Sequence, residues 1–423
     1  MTETWRLSAT EAAQRLAARE LSSEELVSSC LERIAAREPE LRAWAHLDAE
    51  AALAQARERD GESSRGPLHG LPVGVKDVID TADMPTAYGS PIYAGHRPER
   101  DADGVAWLRD AGAVVLGKTV TTEFATYEPP PTVNPHDAAR TPGGSSSGSA
   151  AAVAAGMVPL AYGTQTAGSV IRPASFCGIA GFKPAHGWRS TAGIKRLSER
   201  LDTLGLLGRS IADAALLGGF AAPEPGEGHV AFCRTPWWDR LEDGTREVVE
   251  AAAARLGAEE IELPPEFAGL ATAQETVMAF DVARNLEPEW REHRDELSGA
   301  MRDYLDRAHS VSVDDVEAAA ALGDRCRAML PDVFGGLDAV LVPAALGEAP
   351  LRTEGHTGDP LFCRAWTFLG LPAISVPGMS GPAGMPVGVQ LVGLREEEVL
   401  GAAAWVEGAL ADARPLSAPP GTS

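Results

Sequence analysis

Three segments hold residues whose types and spacing could carry out nucleophilic chemistry. Lys76 ends the apolar run Gly70-Leu-Pro-Val-Gly-Val-Lys76 and precedes Asp77. A lysine removed from water is costly to keep charged, so burial and nearby cations lower its pKa and leave a neutral amine that can act as a base. The same side chain could instead snorkel at a strand end or pair with Asp77. The second segment, Thr141-Pro-Gly-Gly-Ser145-Ser146-Ser147-Gly148-Ser149, feeds an alanine-rich stretch. Glycines allow close backbone approach, and a helix start after such a loop offers free N–H groups to an anion or a developing oxyanion. A serine-rich cap without chemistry is the plain alternative, and a phosphate cradle would lack its Gly-Lys-Ser/Thr ending. In the third, Gly163-Thr-Gln165-Thr-Ala-Gly168-Ser169-Val-Ile-Arg172-Pro-Ala174, Gly168 suits a tight turn that holds the Ser169 hydroxyl beside backbone donors. A serine nucleophile needs that arrangement. Ile171 stands where a G-x-S-x-G elbow has its second glycine, and a Gly-Ser pair alone is a weak signal.

Other chemistries find less support. None of the nine histidines falls in an H-E-x-x-H pattern, although a Ser-His-Asp triad stays open on their number. The five cysteines are odd in number, widely spaced and without a C-x-x-C pair, against a disulfide framework or structural zinc. That usage, and an N-terminus without a basic then apolar pattern, lead to the expectation of a cytoplasmic location. A net charge of −23 disfavours nucleic acid and membrane partners, and no window reaches the apolar length of a membrane-spanning helix.

These segments must be held by an α/β framework. Ser8 with Glu11, and Ser22 with Glu25, are capping boxes opening helices within residues 8–60, with a third helix over Ala49–Arg59. Val73–Val78 and Val114–Gly117 read as buried strands flanking a helix over Ala102–Gly112, the βαβ rhythm of an α/β sheet. A small-residue helix over Ala150–Ala155 leads to a strand over Val158–Gly163. Residues 240–330 are charged and helical, a candidate cap. Strands are expected at Leu337–Pro343 and Pro372–Pro377, and a closing helix at Glu396–Leu410. There is no internal repeat, and the proline-rich 222–227 is the only plausible boundary.

In order and register the three segments resemble the amidase signature family, with Ser145 and Ser169 at that family's habitual separation of 24 positions. Gly112-Ala-Val-Val-Leu-Gly-Lys-Thr119, Gly181-Phe-Lys-Pro184, Leu201-Asp-Thr203 and Gly370-Leu-Pro-Ala-Ile-Ser-Val-Pro377 also look familial. The resemblance is dense over 66–215, returns at 337–393 and is thin between. It implies a large mixed, mostly parallel twisted sheet with helices on both faces. It further implies one amidase domain over 1–423, with N-terminal helices at 8–60 and a variable helical region at about 240–330.

The resemblance also implies a mechanism. Ser169 attacks an amide carbonyl, while Ser145, after a cis peptide from Gly144, relays the proton to neutral Lys76. An acyl-enzyme follows, which water hydrolyses without metal or organic cofactor. Backbone N–H groups of Thr166, Ala167, Gly168 and Ser169 would form the oxyanion hole, and Ser146 would hold Lys76 in place. The chain departs from the family's pattern at Gln165 (usually Asp), Ala167 (usually Gly), Ile171 with Arg172 (Arg one position earlier) and Trp366-Thr367-Phe368 (an Asn-containing lead). A free-standing hydrolase of a small-molecule carboxamide, with a homodimer allowed for, is the leading expectation. The alternatives are the glutamine-hydrolysing subunit of a tRNA-dependent amidotransferase, and a catalytically silent binding protein. Trp290, Trp366, Phe362 and Met301 are candidates for an apolar pocket or for core, and Arg364 and Arg352 for carboxylate binding or for the surface.

Overall fold

Both expected capping boxes form. The Ser8 and Ser22 hydroxyls accept from the Glu11 and Glu25 N–H groups, and those glutamates reach back, opening helices Ala9–Ala17 and Ser23–Leu41. The computed structural model describes residues 3–223, 226 and 228–411. Among them are eleven strands: β1 (Trp44–Leu47), β2 (Pro72–Lys76), β3 (Val114–Thr119), β4 (Leu160–Gln165), β5 (Ala180–Lys183), β6 (Thr203–Gly208), β7 (Val230–Cys233), β8 (Glu260–Ile261), β9 (Ala339–Pro343), β10 (Ala373–Ser380) and β11 (Pro386–Val392). They join one sheet in the order β1-β3-β2-β4-β6-β5-β10-β11-β9-β7-β8.

Every residue of β2, β3, β4, β5, β6 and β9 is buried. Successive side chains on a strand point to opposite faces, so continuous burial means that both faces of the sheet are covered. The α/β class and the mixed sheet are as expected, but the sheet is not mostly parallel. Among the described strands, four neighbouring pairs run parallel (β2–β3, β2–β4, β7–β8, β7–β9) and six antiparallel. The reason lies in the connections. Parallel neighbours need a crossover long enough to carry a helix, as Asp103–Asp110 does between β2 and β3 and Asp243–Leu256 between β7 and β8. The short turn between β10 and β11 instead forces reversal.

Candidate active site

Lys76 is the last residue of β2, beside β4 in the sheet's central region. Its side chain is fully buried. The Nζ lies 2.7 Å from the Ser145 Oγ, 2.8 Å from the Thr164 Oγ1 and 3.4 Å from the Thr164 carbonyl oxygen. Burial pushes its pKa well below the usual lysine value; Asp202 pulls it back up and Arg172 pushes it further down. A neutral amine so placed accepts a proton from one hydroxyl while donating to the other.

Ser145 follows a cis Gly144–Ser145 peptide bond. It stands just before helix Ser147–Ala154, whose small residues are nearly all buried against the sheet. The Ser146 hydroxyl donates to the Thr164 carbonyl and accepts from the Thr164 N–H, both at 3.3 Å. Ser146 is therefore connected to Lys76 through Thr164 and does not bond it directly. Thr164 is a site residue the sequence did not single out, since a threonine in a strand carries no distinguishing signal.

Ser169 lies in the loop joining β4 to helix Ile171–Cys177 and is 9% exposed. Among the described residues its hydroxyl has no hydrogen-bond partner, whereas Lys76 and Ser145 are in direct contact. Arg172 ties the two serine loops together. Its Nη2 donates to the Gly144 carbonyl oxygen at 2.6 Å, and its Nε donates to the Thr357 carbonyl at 2.9 Å.

The loop's N–H groups and carbonyls divide sharply. Among the described residues the N–H groups of Thr166, Ala167, Gly168 and Ser169 donate to no protein acceptor. The carbonyls of Thr166, Ala167 and Gly168 accept from Gln274 Nε2 (2.9 Å), Thr367 Oγ1 (2.7 Å) and the Arg172 N–H (3.0 Å). Gln165 does not pair with Arg172. Its Oε1 accepts from the N–H groups of Val170 and Ile171 at 2.8 and 3.1 Å, and its Nε2 donates to Thr367 Oγ1 at 3.0 Å. Asp202, within the familial Leu201-Asp-Thr203, accepts from the Thr166 hydroxyl at 2.6 Å and from the N–H groups of Leu197 and Ser198. Burial raises its pKa to about 6.

A cavity of about 790 Å³ has its wall formed in part by Tyr127, Leu351, Asp359, Pro360 and Arg364. None of Lys76, Ser145 or Ser169 lines it. It meets the loop through Pro360, whose Cβ would lie 2.8 Å from a Cβ on Gly168. The expectation that Arg364 sits at the surface fails: it is 6% exposed, because its Nη1 donates to Gln274 Oε1 at 2.6 Å. Arg352 is exposed. Phe362, Trp366 and Met301 are buried in the core, and Trp290 stacks on His309 away from the cavity.

A family model described as Amidase matches residues 25–224. The chain is 34% identical to a glutamyl-tRNA(Gln) amidotransferase subunit from Anaeromyxobacter sp. (strain K), over 99% of this chain and 98% of that one. It is 45% identical to the corresponding protein from Chloroflexus aggregans (strain MD-66 / DSM 9485), over 56% of this chain and 51% of that protein, so this match spans about half of the relative's length. A crystal structure of an amidase superposes with a TM-score of 0.87 at 32% identity, covering 96% of this chain and all of the other. An eleven-stranded α/β fold and full-length similarity of this order place the chain in the amidase signature family of C–N bond hydrolases.

Proposed function

We propose that the chain cleaves a carboxamide to a carboxylate and ammonia or an amine, through an acyl-enzyme on Ser169. The observation that carries this reading is the fully buried Lys76 amine, shifted toward its neutral form, 2.7 Å from the Ser145 hydroxyl oxygen. The Ser169 Oγ attacks the amide carbon, its proton passes to the Ser145 Oγ, and that of Ser145 passes to the Lys76 Nζ. The tetrahedral oxyanion takes hydrogen bonds from the unpaired N–H groups at 166–169. On collapse the proton returns through Ser145 to the leaving amine. Water, deprotonated along the same path, then releases the carboxylate.

For the amide itself, the curated relatives favour glutamine consumed within a tRNA-dependent amidotransferase. That similarity runs the length of the chain and outweighs the free-standing small-carboxamide reading, which keeps the support of the solved amidase. Under the glutamine reading the partners are tRNA and the other protein chains of such a complex.

Intact-protein mass spectrometry after treatment with a serine-directed fluorophosphonate tests the nucleophile. One adduct on the wild type and none on Ser169→Ala supports it. No adduct on folded wild type points to a silent binding protein or to a subunit that needs its partner chains. Ammonia released from glutamine only when the remaining amidotransferase chains are added supports the first substrate reading; turnover of unrelated amides by the isolated chain supports the second.

A further inference from the structure

We infer that Gln274 and Thr367 are positioning residues that aim the oxyanion hole from outside the loop that forms it. The inference rests on the proposed acyl-enzyme at Ser169. A trans peptide is planar, with its C=O and the following N–H pointing in opposite directions, so fixing the oxygen fixes the hydrogen. Gln274 Nε2, on helix Leu270–Asn285, holds the Thr166 oxygen and thereby directs the Ala167 N–H to the opposite side. Thr367 Oγ1, on helix Leu361–Phe368, holds the Ala167 oxygen and directs the Gly168 N–H in the same manner. The Arg172 N–H does this for the peptide carrying the Ser169 N–H.

The polarity of both anchors is dictated by their own partners. A guanidinium only donates, so Arg364 Nη1 requires the Gln274 oxygen and leaves Gln274 Nε2 facing the Thr166 carbonyl. Backbone N–H groups of Val170 and Ile171 likewise take the Gln165 oxygen. Gln165 Nε2 is then left to donate to Thr367 Oγ1, whose single proton goes to the Ala167 carbonyl. Gln274, Thr367 and Arg364 are all buried, so water does not compete for these bonds. An oxyanion donor acts through its preset direction, and removing one outright costs roughly 10²–10³ in rate. Releasing a peptide that keeps its N–H costs less, about tenfold or more.

The test is the second-order rate of fluorophosphonate labelling, because the phosphonyl oxygen must enter the same hole. Expected are labelling of the wild type, none of Ser169→Ala, and rates lower by about tenfold or more in Thr367→Val and Gln274→Met. Thr367→Ser, which restores the hydroxyl, returns most of the rate. The pH dependence of labelling stays in place in Thr367→Val, Gln274→Met and Thr367→Ser, because Lys76 is untouched; a structural lesion that reached Lys76 would displace it. Circular dichroism melts give the folded fraction used to correct each rate, and the two anchors sit on different helices, so either variant alone decides. Wild-type rates in folded Thr367→Val and Gln274→Met, with Ser169→Ala unlabelled, would overturn the inference and leave the nucleophile standing. Labelling of Ser169→Ala would overturn both.

Discussion

Lys76 stands out in the sequence because a cation at the end of an apolar run is anomalous, and under the proposed function the anomaly has a use. Fully buried, the amine is held toward neutrality beside Ser145 and Thr164. Replacing it by alanine is expected to lower kcat by about 10²–10⁴-fold, the usual worth of a general base, with arginine giving no rescue because it does not deprotonate. Steady-state kinetics of the two variants would check this, and recovery in Lys76→Arg would mean that the residue serves only as a charge. Activity should rise with pH along an acid limb as Lys76 loses its proton. Asp202 favours the charged lysine, so Asp202→Asn lowers the lysine pKa and moves that limb to lower pH. A pH profile of kcat/KM measures the displacement, and a limb unmoved or moved upward would contradict it. Asp202, Thr164, Gln274 and Thr367 were not legible as site residues. Their types are common, and their roles arise from bonds such as that joining Gln274 to Thr166 across 108 positions. Gln165 and Thr367, two departures from the family's pattern, are in contact. Neither could be interpreted until the fold joined them.

Elements with a local signal were the readable ones. The capping boxes announced two helices, and short buried runs announced β2, β3, β4 and β9 within a few residues. β1, β5, β7 and β8, at two to four residues, and the seven-residue helix after Ser169 are too short for a period to show, so their shape comes from tertiary pairing. Gly163 of β4 pairs with Gly205 of β6, and the two bare positions let the serine loops settle on the sheet. A Cβ at Gly205 would lie 2.2 Å from Val170 Cγ2, and one at Gly163 2.7 Å from the Ser146 Oγ. Valine is stiff at χ1, and Val170 adjoins Ser169. Gly205→Ala is therefore expected to cost about 1–3 kcal/mol of stability and to lower kcat/KM, read by denaturant unfolding and kinetics together. By contrast, Ser22→Ala removes a cap far from the site. It should cost about 1 kcal/mol with kinetics unchanged.

At the scale of the molecule, the alternation of strand and helix signals pointed to α/β, while strand order and direction stayed hidden because they depend on which connections are long enough to cross over. Charge is legible without a structure. At −23, the isolated chain should bind tRNA no better than a Kd of about 10⁻⁴ M at roughly 0.15 M salt, as filter binding would register. Tighter binding would show that the protein's fold gathers a basic surface which the overall balance conceals. The anchors from helices Leu270–Asn285 and Leu361–Phe368 have a consequence for how such proteins diverge and can be engineered. Side chains from the thinly matching 216–336 region and from the departure at Trp366-Thr367-Phe368 are fastened to the Ser169 loop, so changes in these segments reach that loop. A chimera grafting residues 265–368 from a relative keeps the geometry of this loop only if the donor segment also brings compatible anchors for the carbonyls of Thr166 and Ala167.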